Sequence, residues 1–333
     1  MPDNQSKYHH LIPQTYMSAW ANSSGTLKIE YKNKRGKIVP RNKANIAGIT
    51  DYHSIKAGMP ICTNDDALLI FQSLSGYKVE CDGLELKKPL EFNANYYDFD
   101  NWSITRTDGT PVSKKHLRND IEQVKIRDIE ENWSLKYENP WNSTRKKIEN
   151  AVLNTKDGCI SAFDKEYLMR FFTALDWRGF CSNQLFEETF QKITNGLFDE
   201  IDIPENARFL PSLKTASDEL RHVILLHYFR QYLNDNGVIY KDAIANLANT
   251  NFHFIISDGP TLFITSDTPS FIHKRKDGQL IGLLAITPRI LMAKGRCTTD
   301  YDKFYVTHIT DEKVIEYNEA IQENAEEFII HPF

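Results

Sequence analysis

An α+β fold is predicted for this 333-residue chain by three observations: strand-like segments fill its first third, helical periodicity fills its middle, and strands return before a closing amphipathic helix. The absence of strand–helix–strand alternation argues against a doubly wound parallel sheet. At 41% apolar and 12% aromatic residues the chain can bury a large core, which excludes a disordered tail and a disulfide miniprotein. We therefore expect one α+β domain over 1–333, with sub-regions 1–113 (mainly strand and loop), 114–250 (mainly helix) and 251–333 (strands plus a terminal helix).

Each element has its own local cause. From Leu27 to Val39 apolar and polar residues alternate around the turn-forming Asn33-Lys34-Arg35-Gly36, which predicts a basic β-hairpin. From Lys114 to Tyr137, Ile121, Val124, Ile129 and Trp133 recur at helical spacing, and Asn139-Pro140 should end that helix. Asp164 is placed to cap a helix carrying Tyr167, Leu168, Phe171, Phe172 and Leu175, and a further helix is expected over Ser217–Leu233. Phe252–Ser257 and Thr261–Ser266 read as a hairpin through Asp258-Gly259-Pro260, and Ile281–Ile286 and Ile290–Ala293 as strands around Thr287-Pro288. Asp311 should cap the last helix, running to about Glu326, with Glu327–Ile330 as a short edge strand.

Forty Lys/Arg against forty-five Asp/Glu give a net charge of −5, so the molecule as a whole is no polycation. The sign is uneven: residues 1–150 hold 22 basic and 19 acidic side chains, leaving 18 and 26 for the rest. Cys62, Cys81, Cys159, Cys181 and Cys297 form an odd set without a Cys-x-x-Cys pair, which argues against a disulfide framework or a zinc ribbon. No basic-then-apolar leader opens the sequence, and no apolar run approaches the ~18 residues of a membrane span. The expectation is a soluble cytoplasmic protein with no membrane partner.

Four segments carry a resemblance when taken together: His10-Leu11-Ile12-Pro13-Gln14-Thr15-Tyr16-Met17 with Trp20; Phe171-Phe172-Thr173-Ala174-Leu175-Asp176-Trp177-Arg178; Phe263-Ile264-Thr265-Ser266-Asp267-Thr268-Pro269 followed by Thr287-Pro288-Arg289; and the helix Asn318–Phe328. In this order, and over nearly the whole chain, they resemble a large bacterial family of unknown function numbered 4238. The resemblance implies one α+β domain of about this size and brings no established chemistry.

Three side chains from these segments are candidate site residues. His9-His10-Leu11-Ile12-Pro13 looks like the opening of an HNH-type nuclease, but that module needs an Asn and a further His within about thirty residues. The next histidine here is His53, so the local constellation is incomplete. His10 still suits proton transfer near neutral pH, or else it fixes the N-terminal segment by hydrogen bonding. Asp267 ends an apolar strand before Thr268-Pro269, where a carboxylate can hold a divalent cation, orient a histidine, or cap its own loop as an Asx-turn. Arg178 closes an apolar helical stretch and can clamp a phosphate in a forked geometry or cover Trp177.

Two further patterns have bland explanations beside functional ones. Arg221 and His227 fit the Arg-x(4–6)-His spacing of certain metal-independent ribonucleases, yet about one such match is expected by chance in a chain with ten histidines. A six-residue offset in an unbroken helix also turns about 240° beyond one circuit, separating the two side chains. Lys28, Lys32, Lys34, Arg35, Lys37, Arg41 and Lys43 crowd one hairpin against the single acid Glu30. Such a hairpin can ride on a phosphate backbone, or its charges can guard an edge strand against pairing. Gly-rich phosphate loops, a Gly-x-Ser-x-Gly elbow and kinase motifs are absent from the sequence, which disfavours ATP-driven, serine-hydrolase and Rossmann chemistry.

The expectation is a phosphodiester-directed hydrolase, nuclease-like and acting in a toxin or phage-defence system. His10 would be general base or metal ligand, Asp267 metal ligand or orienter, Arg178 the phosphate clamp, and a nucleic acid or nucleotide the partner. The rival is a non-catalytic module that binds a nucleotide or a protein through the same pocket. No residue set specifies a cofactor, although a divalent metal would suit Asp267.

Overall fold

The computed structural model describes residues 8–178, 184–297 and 300–333; Cys181 lies outside them. The chain opens with β1 (Tyr8–His10), α1 (Gln14–Met17), β2 (Thr26–Tyr31), β3 (Ile38–Asn42) and β4 (Gly48–Thr50). It continues with α2 (Asn64–Ile70), β5 (Tyr77–Cys81), β6 (Leu84–Leu86), α3 (Pro89–Asn95), β7 (Ser103–Arg106), α4 (Lys114–Gln123), α5 (Asp128–Trp133) and α6 (Asn139–Val152). Next come β8 (Gly158–Ser161), α7 (Lys165–Arg178), α8 (Gln184–Thr194), α9 (Ala216–Leu233), α10 (Gly237–Leu247) and β9 (Thr250–Ser257). The last elements are β10 (Thr265–Ser266), β11 (Ser270–Lys274), β12 (Leu280–Thr287), β13 (Ile290–Arg296), β14 (Lys303–Ile309), α11 (Asp311–Asn324) and β15 (Phe328–His331). The fold is α+β, and the chain forms two compact units.

The first unit takes in residues 51–131 and 196–230. Its sheet has the order β6-β5-β7, and its aromatic core joins Phe71, Phe92, Tyr96, Phe99 and Trp102. α2 and α3 fall in the stretch expected to be mainly strand and loop. The signal for α2 is a capping box spelled Thr-x-x-Asp: Thr63 Oγ1 accepts from Asp66 N–H at 3.2 Å, and Asp66 Oδ2 accepts from Thr63 N–H at 2.9 Å. Asp66 is also held by both Nη atoms of Arg230, at 2.7 and 2.9 Å, while Arg230 Nε reaches Asp128 at 2.6 Å. This buried fork fastens α9 to α2 and α5.

The second unit takes in residues 8–50, 132–195 and 231–333. Its larger sheet has the order β11-β12-β13-β9-β14-β8, antiparallel except where β14 runs parallel to β9. Seven successive residues of β12, Ile281–Thr287, are buried, so both faces of that strand are covered. A smaller sheet has the order β10-β15-β2-β3, and β1 pairs only with β4. Trp141 stacks on Phe171 with ring centroids 4.2 Å apart, and Tyr16 and Trp20 extend that aromatic core.

Several sequence expectations are corrected. Helix does not stop at Asn139-Pro140: α5 passes through a π-turn at Ser134–Glu138 straight into α6. Pro140 sits at the start of α6, where its missing N–H costs no bond. Asp164 gives its carbonyl to Leu168 N, but its carboxylate goes to Lys147 Nζ at 2.8 Å. Thr310, not Asp311, occupies the N-cap of α11. β15 is an inner strand between β10 and β2 rather than an edge.

The largest correction concerns Thr261–Ser266, which does not hairpin with β9. Only Thr265–Ser266 is strand, and it pairs with β15. The preceding residues are extended but are bonded largely by side chains: Thr261 N–H to Asp311 Oδ1 (2.9 Å), Ile264 N–H to Asn318 Oδ1 (3.1 Å), and Asn318 Nδ2 to Leu262 O (2.9 Å). Trp20 Nε1 donates to Phe263 O at 3.0 Å, and Phe263 N–H to Pro288 O at 2.7 Å. Periodicity reports apolar alternation and is blind to this substitution of side-chain partners for a ladder.

His308, in β14, lies with Nδ1 2.5 Å from Asp258 Oδ1 and Nε2 2.7 Å from Thr155 O. Both partners are acceptors, so both bonds form only when the ring is an imidazolium. The Asp258 carboxylate raises the His308 pKa above its ordinary value. Its stabilising contribution is therefore full below the unfolded-state pKa and is lost as pH rises through the higher folded-state value. Chemical denaturation should show wild type more stable than His308→Gln at about pH 5.5, with the gap closing by about pH 9. A gap independent of pH would mean that the ring is neutral.

Candidate functional site

The segment carrying His10 is shaped by β1 and β4. His10 pairs with Gly48, where a Cβ would fall 2.4 Å from the Tyr8 ring, so glycine lets Tyr8 lie edge-on to His10. His10 Nδ1 lies 3.2 Å from Ile46 O, and Gln14 Nε2 lies 2.7 Å from His10 Nε2. The carbonyl requires a proton on Nδ1, which leaves the Nε2 lone pair to accept from the Gln14 amide.

Arg178 ends α7 and is 1% exposed. Its Nε donates to His10 O at 2.8 Å, and its guanidinium lies 4.2 Å from the centroid of Trp133. It thus holds the backbone of the His10 segment and covers Trp133, not the Trp177 considered from sequence.

Asp267 follows β10. Its Oδ1 accepts from Glu326 N–H at 3.0 Å and its Oδ2 from Glu327 N–H at 2.5 Å, capping the turn from α11 into β15. Burial pushes its carboxyl pKa up despite these backbone donors. The same turn is pinned by Thr268 Oγ1, which donates to Asn324 O at 2.9 Å, and by Lys32 Nζ, which bonds Ala325 O. Among the described residues no group with metal-ligand geometry includes Asp267 or His10.

The stretch after His10 and the Asp267 segment border a cavity of about 490 Å³, which neither His10 nor Arg178 lines. Leu11 and Ile12 form one wall, Asp267 and Thr268 another, and Tyr31 and Phe328 present aromatic surface to it. The wider set of recurring segments is bonded together: Tyr16 Oη donates to Ala285 O at 2.7 Å and lies 2.8 Å from Thr265 Oγ1, while Asn318 and Asn324 hold residues 262–268.

Tyr31, which lines the cavity, ends β2 of the expected basic hairpin, β2–β3, in which β3 lies on the edge of its sheet. Its seven cations divide by role. Lys32 points inward to Ala325 O, and Lys28 Nζ lies 4.8 Å from the Phe333 ring centroid; both are half-buried, as is Lys43. Lys34, Arg35, Lys37 and Arg41 are exposed. Glu30, the one acid, reaches into the same turn: Oε1 accepts from Gly36 N–H at 2.7 Å, Oε2 lies 2.7 Å from His331 Nε2, and Arg35 is near enough to favour its charged form. The Gly36 bond, with His331, holds its carboxyl below the usual range.

Sequence reasoning missed a polar cluster in the first unit. His53 is 2% exposed, with Nδ1 2.5 Å from Glu130 Oε1, and its ring packs near Phe229. His222 stacks near Tyr52 and is buried; desolvation pushes its pKa down to about 3, so it is neutral. Seventy-seven residues separate His53 from Glu130, and no local motif joins them. The Arg221/His227 pair lies on the unbroken helix α9, where the offset directs the two to different faces.

A family profile described as a protein of unknown function, DUF4238, matches residues 8–332. The chain belongs to the DUF4238 family. No curated protein and no solved structure matches it. In this DUF4238 chain the segments that carry the resemblance include those bonded to one another around residues 261–268.

Asp267→Asn keeps the side-chain shape but replaces an ionised acceptor of two backbone N–H groups. It should destabilise the fold by about 1–3 kcal/mol in urea titrations. Unchanged stability would free Asp267 from the capping role.

Proposed function

We propose that this DUF4238 protein engages the phosphodiester backbone of a nucleic acid through the hairpin β2–β3. One observation carries the reading: Lys34, Arg35, Lys37 and Arg41 are exposed on one hairpin, while its only acid is bonded to Gly36 and His331. Four exposed cations against one carboxylate, which Gly36 and His331 already engage, give a positive surface on a chain of net negative charge.

A second reading adds hydrolysis, as a nuclease-like effector of a toxin or phage-defence system, and the cavity favours it. Tyr31 at the end of β2 lines the cavity, and the segment following His10 borders it together with Asp267. In that reading His10 gives up its bond to Gln14 to act as a base, Arg178 positions the His10 backbone rather than clamping phosphate, and a divalent cation would sit beside Asp267. A cytoplasmic setting suits both readings: Cys62, Cys81, Cys159 and Cys297 are free thiols. No helix among the described residues is long and apolar enough to cross a membrane.

Fluorescence anisotropy with labelled single-stranded and duplex DNA and RNA tests the binding reading. Affinity should fall as salt rises, and replacing Lys34, Arg35 and Lys37 by Gln should lower the logarithmic salt slope by roughly one for each phosphate no longer neutralised. Absence of salt-dependent binding to every probe would end this reading. For the hydrolytic reading, His10→Ala should reduce cleavage by about 10²–10⁴ while the protein stays folded; loss of activity only in step with loss of folded protein would assign His10 to architecture.

A further inference from the structure

A second cleft, of about 440 Å³, lies on the larger sheet of the second unit. Its floor includes a cross-strand row in which Ile272, Gly282 and Lys294 stand side by side on β11, β12 and β13. Gly282 creates the space: a Cβ there would fall 2.6 Å from Phe172 Cζ and 3.1 Å from Lys294 Cε. Lys294 crosses this gap and sets its ammonium 4.1 Å from the Phe172 ring centroid. A lysine with only an apolar stem to bury would send its charge outward to water. Here the charge is drawn in, and burial lowers the pKa of the amine.

The lining is one-sided in charge. Lys294 and Arg296, two residues apart on β13 and so on one face of the sheet, both line the cleft; no carboxylate does, although Asp176 and Asp242 lie near enough to act on Lys294 electrostatically. Neither cation has an ion pair among the described residues; the aromatic face of Phe172 is the close partner of Lys294. A ring face satisfies the charge only in part and none of the three N–H donors. Asn246 and Asn249 add amides at the end of α10, while Ile272 and Leu280, both more than half exposed, supply apolar surface.

We propose that this cleft binds a small organic anion, a carboxylate or phosphate on a short apolar body, whose charged end pairs with Lys294 and Arg296 and whose body lies against Ile272 and Leu280. The site is separate from the hairpin and does not depend on the nucleic-acid reading. Binding would complete the hydrogen bonding of the lysine and raise the stability of the ligated protein by mass action.

The test is titration of the full chain with butyrate, inorganic phosphate and chloride at matched ionic strength, read by thermal shift and by the Lys294 side-chain resonances. Butyrate stabilising the protein beyond phosphate identifies a carboxylate ligand; phosphate prevailing identifies a phosphorylated one. In either case Lys294→Met, which keeps the apolar stem over Phe172, should weaken binding at least about tenfold, and Lys274→Met on neighbouring β11 should not. Arg296→Gln, at the exposed rim, tests the same pairing should Lys294→Met fold poorly, and should also weaken binding. Neither anion outperforming chloride on the folded protein, or Lys294→Met and Arg296→Gln both binding like wild type, would overturn the proposal.

Discussion

Apart from Thr265–Asp267, which bond to β15, residues 261–268 take hydrogen-bond partners that a neighbouring strand does not supply, and the second unit is organised around meeting that need. A buried backbone amide or carbonyl left unmet costs about 1–3 kcal/mol, so several in one segment would rival the net stability of a domain. The partners arrive from far along the chain: Trp20 from the beginning, Asp311, Asn318 and Asn324 from the closing helix, and Pro288 from the turn between β12 and β13. Asp267 returns the favour by capping the turn that follows α11. Each segment is fixed by groups that it helps to fix, so the His10 segment, the 261–268 strap and the closing helix stand or fall together.

This explains why the sequence shows the elements better than their connections. The hairpin β2–β3, the helix ending at Arg178, and the strands of 280–296 each carry their own periodicity, and each is found where that periodicity places it. Thr261–Ser266 alternates like a strand, but its partners are side chains more than forty residues away, and no local pattern encodes them. Pro140 is a helix breaker only when its N–H would have been used, and the π-turn before it removes that demand. The same limit applies to the candidate site. His10, Arg178 and Asp267 were legible as polar residues in the segments that carry the resemblance; that the His10 carbonyl accepts from Arg178 Nε and the Asp267 carboxylate accepts from two backbone N–H groups is decided by tertiary packing.

The two units place charge in different ways. In the first, Arg230 brings Asp66 and Asp128 together, and both sides of the network have partners. In the second, cations are left facing outward on the hairpin and inward on the β13 cleft. Matched pairs contribute to fold specificity, whereas unmatched cations lower stability and are tolerated where a partner can come from solution.

The position of β15 also has a consequence for synthesis. It is the inner neighbour of β2, yet nearly three hundred residues separate the two strands in sequence. Until residue 331 has left the ribosome, β2 has β3 on one side and an open ladder on the other, with Leu27 and Ile29 lacking their final cover. Closing so long a loop is slow, and an unpaired apolar edge invites association with other chains in the interval. The lysines and arginines of the hairpin would then act before the protein is finished, keeping nascent copies apart by charge repulsion.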